Sequence, residues 1–139
     1  MGWIDVGAVT WWAVGVAFLA AFVFGWFWYS PQGFFPVWAR LGKISDEDMK
    51  NANMGVAFGG TVVGNLLGVV LMALMLPALG SEGWLAGLAV GALVGFVFRG
   101  GAHAIHNGFA ARHPGVTLID VAHDTIALAI VGAILGAAG

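Results

Sequence analysis

Four long apolar stretches dominate this sequence, and only three short polar segments separate them. The stretches cover about 6–28, 54–79, 83–110 and 116–138, so each approaches or exceeds the roughly 20 residues that an α-helix needs to cross a hydrocarbon core. Backbone groups cannot stay unpaired in lipid, and the alternation typical of porin strands is absent. The sequence therefore predicts an all-α integral membrane protein: four transmembrane helices, numbered here one to four, in a single antiparallel domain over 1–139.

The composition excludes several other classes of protein. Charged residues make up 9% of the chain, whereas a soluble domain devotes about a quarter of its residues to them. The formal net charge of -2 gives no basic face for nucleic acid, and the absence of cysteine excludes a disulfide scaffold. There is no Walker loop and no serine close to a histidine in the predicted helices, so we expect no enzymatic activity and a lipid bilayer as the main partner.

The basic residues predict the orientation of the chain. All five lie on one side of the predicted membrane, in or near the first and third loops: Arg40, Lys43, Lys50, Arg99 and Arg112. Basic loops favour the cytoplasm. Loops one and three are therefore predicted to be cytoplasmic and both termini to lie outside.

The first loop is the only sizeable segment outside the predicted helices. Pro31 and Pro36 are predicted to end helix one, and Ser45 with Asp48 forms a capping-box pattern that predicts a short amphipathic helix. Aromatic residues crowd this boundary: Trp28, Tyr29, Phe34, Phe35 and Trp38. They are predicted to form an interfacial belt in contact with lipid. A cage that stacks on a ligand is the alternative.

Glycines recur at four-residue spacing in three of the predicted helices. They are Gly60, Gly64 and Gly68 in helix two, Gly83, Gly87, Gly91 and Gly95 in helix three, and Gly132 and Gly136 in helix four. Such a glycine zipper lets helix backbones approach closely in a membrane. It is consistent with packing inside one bundle or with a seam between two copies, and a homodimer is expected.

Ionisable residues in the apolar stretches are costly in lipid, so each is a functional candidate with a partner to be named. We call the following set the polar cluster: Arg99, His103, His106, Asp120, His123 and Asp124. Helical spacing places its members on one stripe of helix three and one stripe of helix four. If these helices form a hairpin that turns near Arg112, residues at equal depth pair Arg99 with Asp124 and His103 with Asp120.

The polar cluster leaves four interpretations open. It is a clasp that holds helices three and four together, or a relay for protons or ions, since histidine beside carboxylates titrates near neutrality. A metal site of histidine and carboxylate ligands and a haem held by two histidines are the others, although no metal signature is present. No cofactor is predicted.

The end of helix one carries a recognisable motif. The run from Gly25 to Pro31 reads Gly-Trp-Phe-Trp-Tyr-Ser-Pro, and Trp38 and an acidic helix start follow it. Near the other end of the chain, the tripeptide Leu-Ile-Asp ends at Asp120, and a Gly-Ala-Ile-Leu-Gly run begins at Gly132. Together these anchors resemble a family of small bacterial membrane proteins, domain of unknown function 1761. The resemblance implies four membrane helices, a bacterial inner membrane and no established activity.

Two classes of function follow from the sequence. The first is a small permeation or transport protein that uses the polar cluster to carry protons, ions or a small solute. The second is a non-catalytic structural or assembly subunit in which the polar cluster only clasps two helices, with metal binding as a further alternative. A transporter needs water to reach the polar cluster, whereas a clasp is dry and mutually satisfied.

Overall fold

The computed structural model describes residues 2–139, and this part of the chain is helical, with no strand. Its four long helices are helix one (Trp11–Trp28), helix two (Met54–Ala78), helix three (Trp84–Phe109) and helix four (Pro114–Ala138). Each is long and apolar enough to cross a membrane. The predicted all-α fold class with four candidate membrane helices is confirmed.

Helix one begins five residues later than the apolar pattern suggests. Val6–Ala8 forms a separate 3-10 turn, and the Asp5 carboxylate accepts a hydrogen bond from the backbone N–H of Gly7 at 2.9 Å. Thr10 is then extended and precedes the first helical residue. Hydropathy does not register this break because the residues on both sides of it are apolar.

The first loop contains two short helices, Phe35–Leu41 and Asp46–Asn51. The predicted capping box opens the second of them: Ser45 Oγ accepts from the backbone N–H of Asp48 at 3.1 Å, and an Asp48 carboxylate oxygen accepts from that of Ser45 at 2.9 Å. These hydrogen bonds lower the pKa of Asp48. The short helix Phe35–Leu41 follows Phe34 and places Trp38 in contact with helix four.

Helices three and four form the most extensive interface of the chain, and their backbones touch. A Cβ added at Gly87 would lie 1.9 Å from the Gly132 carbonyl oxygen, and the same distance separates a Cβ at Gly132 from the Gly87 carbonyl oxygen. A Cβ at Gly91 would lie 1.9 Å from the Leu128 carbonyl oxygen. No side chain fits there, so these glycines allow an approach that any other residue would prevent.

Helix three is interrupted by a π-helical segment at Gly95–Gly100. A π turn holds more residues than an α turn, so it shifts the positions that face helix four. Gly95, not Arg99, lies against the backbone of Asp124: a Cβ there would be 2.5 Å from the Asp124 carbonyl oxygen. The register is therefore offset by about one turn from the predicted hairpin.

Helix two is packed along only half of its length. Its second half buries Val69, Met72 and Leu76 in the core. Its first half stands apart, since all residues over 51–63 are exposed. Gly60 and Gly64 have no atom within 4 Å of an added Cβ, whereas a Cβ added at Gly68 would lie 3.9 Å from an Arg99 guanidinium nitrogen. An opening therefore separates the first half of helix two from helix three.

Packed and unpacked glycines are expected to differ in their response to substitution by alanine. Gly91→Ala forces a Cβ into the Leu128 carbonyl oxygen and is expected to lower the free energy of unfolding by more than about 2 kcal/mol through overpacking. Gly59→Ala is the matched control because an added Cβ meets nothing within 4 Å there. Thermal unfolding of both variants in mild detergent measures the difference. Equal stability would contradict the close contact between helices three and four.

Candidate functional site

The centre of the site is the carboxylate of Asp124 on helix four. Its Oδ2 lies 2.8 Å from Nε2 of His103 on helix three, and its Oδ1 lies 2.8 Å from Nδ1 of His123. Both distances are those of strong, charge-assisted hydrogen bonds. We call this arrangement the imidazole bridge, because one carboxylate joins two imidazoles.

Arg99 supplies a positive charge beside the imidazole bridge. Its Nη1 is 3.9 Å from Asp124 Oδ1, which is long for an ion pair and places the guanidinium outside hydrogen-bond distance. The Arg99 side chain is 31% exposed and that of His103 is 35% exposed, whereas Asp124 and His123 are 13% exposed. One end of the imidazole bridge is therefore open and the other is enclosed.

The enclosed end, His123, lies among aromatic rings from the end of helix one. Phe24 stacks on the imidazole with ring centroids 5.5 Å apart, and Tyr29 lies at 5.1 Å and Trp28 at 6.3 Å. Gly25 provides the space, since a Cβ there would be 3.0 Å from His123 Nε2. That Nε2 and the Trp28 Nε1 are buried without a hydrogen-bond partner among the described residues.

Asp120, one turn before Asp124, is held by a different part of the chain. Its Oδ1 accepts a hydrogen bond from the Tyr29 hydroxyl at 2.6 Å and another from the Trp38 indole N–H at 3.1 Å. Burial, and then the hydrogen bond to Asp120, raise the pKa of Tyr29 above its ordinary value, so the phenol remains a donor. Asp120 thus ties helix one and the first loop to helix four.

One of the two predicted pairs is wrong. His103 pairs with Asp124, not with Asp120, because the register is offset by about a turn and Asp120 is already engaged by Tyr29 and Trp38. Arg99 does lie beside Asp124.

The structure brings together five of the six residues of the polar cluster, near the end of helix one and in the first half of helix four, and leaves one outside. His106 is exposed and forms no side-chain hydrogen bond or ion pair within residues 2–139. On the same helix, the Asn107 amide donates to the Thr117 hydroxyl at 3.2 Å, closer to the third loop. His106 is therefore a natural control for His103.

The imidazole bridge is not arranged as a metal centre. Within residues 2–139, no three His, Asp or Glu side chains are grouped so as to hold a metal ion. The facing nitrogens of both imidazoles already contact Asp124. The metal and haem interpretations receive no support from this geometry.

The site lies in the half of the bundle next to the first and third loops. Asp120 is six residues and Asp124 ten residues beyond Pro114, which corresponds to about 9 and 15 Å along the helix. Arg99 lies ten residues before the end of helix three at Phe109. The charged groups are thus well inside the apolar part of the bundle, where an uncompensated charge is costly.

A family model described as "Protein of unknown function (DUF1761)" matches residues 12–136. The chain belongs to the DUF1761 family. Searches of curated proteins and of solved structures found no match. The predicted membership is confirmed, and the four helices that are long and apolar enough to cross a membrane fit this family of unknown function.

Three residues quoted for the DUF1761 resemblance meet at one carboxylate in this chain. Tyr29 comes from the Trp-Tyr-Ser-Pro run, Trp38 is the downstream tryptophan, and Asp120 closes the Leu-Ile-Asp. They lie 91 and 82 residues apart along the chain and are joined by two hydrogen bonds. The motif therefore describes a contact between distant segments.

Sequence reasoning assigned Tyr29 and Trp38 to a lipid-facing belt and did not connect them to Asp120. It also gave no site role to Phe24, which stacks on His123, or to Gly25, which makes room for that ring. The signal that could have linked Tyr29 and Trp38 to Asp120 is that all three belong to the motifs quoted for the DUF1761 resemblance. Hydropathy and charge spacing contain no such signal.

The contact at Asp120 is testable by a double-mutant cycle. Tyr29→Phe removes one hydrogen bond to a carboxylate and is expected to lower the free energy of unfolding by about 1.5–3 kcal/mol. In an Asp120→Asn background the same change is expected to cost much less, because the charged acceptor is already gone. Unfolding in detergent measures both.

Trp26→Phe is the matched control for this cycle. Trp26 lies three residues from Tyr29, and its side chain is 72% exposed. Its replacement is expected to leave stability unchanged. Additive effects of Tyr29→Phe and Asp120→Asn would show that the hydroxyl and the carboxylate do not interact.

Proposed function

We propose that this protein is a non-enzymatic, proton-linked permeation protein of the membrane, and that the imidazole bridge is its proton-binding site. The observation that carries the proposal is the single carboxylate of Asp124, which lies 2.8 Å from both His103 and His123. Histidine is the side chain whose ordinary titration falls nearest to physiological pH. Titratable groups joined by hydrogen bonds inside a membrane are typical of proton relays.

The charge balance of the site supports proton binding. Asp120 and Asp124 contribute two negative charges when ionised, and Arg99 contributes one positive charge. With both imidazoles neutral, the site therefore carries one excess negative charge. It lies deep in an apolar bundle, where net charge is unfavourable. One proton bound by the imidazole bridge neutralises it.

The surroundings of His123 support the same proposal. A protonated imidazole is attracted to aromatic faces, and Phe24 stacks on this ring with an interplanar angle of 14°. His123 Nε2 has no partner among the described residues, so this nitrogen remains available to bind or release a proton. His103, which is more exposed, is then the entry residue.

Access from the aqueous phase is supported by the opening beside helix two. The first half of that helix stands apart from helix three, so Arg99 and His103 are about one third exposed. A charged side chain at this depth requires water or protein around it. Lipid alone does not satisfy the guanidinium.

A homodimer formed through helix two belongs to this proposal. The glycines of helices three and four are in contact within the chain, whereas Gly60 and Gly64 remain free. A second copy at this face would enclose the opening beside Arg99 and leave a path between the two copies. The four basic residues of loops one and three favour a cytoplasmic position for this end, so the proposal puts the protein in a bacterial inner membrane with both termini outside.

A structural clasp is the second candidate. It is favoured by Asp120, whose carboxylate accepts hydrogen bonds from both Tyr29 and Trp38 and joins three segments of the chain. A clasp needs no proton flux. The two candidates therefore differ in a measurable quantity.

Proton flux into liposomes tests the proposal. Purified protein is reconstituted with the pH dye pyranine inside, and a potassium gradient with valinomycin provides the driving potential. We expect wild-type protein to acidify the interior faster than protein-free liposomes do. Asp124→Asn is expected to reduce the rate at least tenfold because it removes the charge that joins the imidazoles.

His103→Gln and His106→Gln form a matched pair on one helix. The first removes a member of the imidazole bridge and is expected to reduce flux strongly, whereas the second is expected to behave like wild type. Gel filtration and circular dichroism confirm that each variant is folded. Wild-type flux equal to that of empty liposomes, or an undiminished rate in Asp124→Asn, would leave the clasp as the role of the site.

A further inference from the structure

A cavity of about 270 Å³ opens at the end of the bundle opposite the imidazole bridge. It lies where the segment before helix one, the end of helix two and the last turns of helix four meet. Leu76, Pro77 and Leu135 contribute apolar walls. A concave, mostly apolar site with a few polar groups is the common form of a small-molecule site.

The polar groups of this cavity are all able to accept hydrogen bonds. Thr10, Ser81 and Glu82 line it. The Thr10 hydroxyl does not cap helix one. Every ion pair within residues 2–139 involves Asp124, so Glu82 has no cationic partner in the described chain.

We propose that this cavity binds a small organic ammonium cation. The carboxylate of Glu82 and the hydroxyls of Thr10 and Ser81 receive the ammonium group, and Leu76 and Leu135 contact its alkyl chain. A bare metal ion would leave most of the volume and the apolar walls without contacts. The proposal does not depend on proton flux through the imidazole bridge.

Calorimetric titration of the purified full chain in detergent at pH 7 tests this site with n-propylammonium chloride as the probe. We expect saturable binding of one cation per chain. n-Propanol, which has a similar shape without the charge, is expected to bind at least tenfold more weakly, and sodium chloride is expected to give no saturable heat. Equal binding of n-propanol would show an apolar pocket only.

Two variants locate the binding. Glu82→Gln removes the charge and is expected to weaken binding at least tenfold; the residue is exposed, so the fold is retained. Glu47→Gln, in the first loop and remote from the cavity, is the control and is expected to match wild type. No saturable binding by wild type, or equal affinity in Glu82→Gln, would overturn the proposal.

Discussion

Helices three and four touch through their backbones, at Gly87 against Gly132 and at Gly91 against Leu128, with no side chain between them. Dispersion between closely approaching backbones replaces the hydrophobic effect, which lipid does not supply between apolar helices. The contact also brings the polar side chains of helix three close to those of helix four. Without it, His103 would not lie within hydrogen-bond distance of Asp124. The imidazole bridge therefore depends on residues that carry no functional group.

Much of the fold was predictable because lipid imposes simple rules. Length and hydropathy identified all four long helices, and the Ser45–Asp48 capping box was recognised from its spacing. The 3-10 turn before helix one and the π segment of helix three were not, since neither changes the hydropathy pattern. The predicted pairing between helices three and four was wrong in part for this reason, since equal-depth pairing assumes a constant number of residues per turn and Gly95–Gly100 departs from it.

The sequence predicted which residues belong to the site better than it predicted which of them contact one another. Charge in apolar stretches pointed to Arg99, His103, His123 and both aspartates, because an ionisable group in lipid needs a partner. It could not show that Tyr29 and Trp38 bind Asp120, since those partners come from the other end of the chain. Aromatic residues at a membrane boundary have an ordinary explanation as interfacial anchors. Only the fold reveals that two of them are hydrogen-bond donors to a half-buried carboxylate.

The π segment also determines where two polar side chains of helix three point. It contains Arg99 and precedes His103, so the directions of both side chains depend on one irregular turn. Removing a single residue from a helix rotates everything beyond it by about 100° around the axis. If this segment became regular α-helix, the residues beyond it would rotate relative to helix four, and the His103 imidazole would move away from the Asp124 carboxylate. The direction of His103 is therefore set by the irregular backbone of Gly95–Gly100.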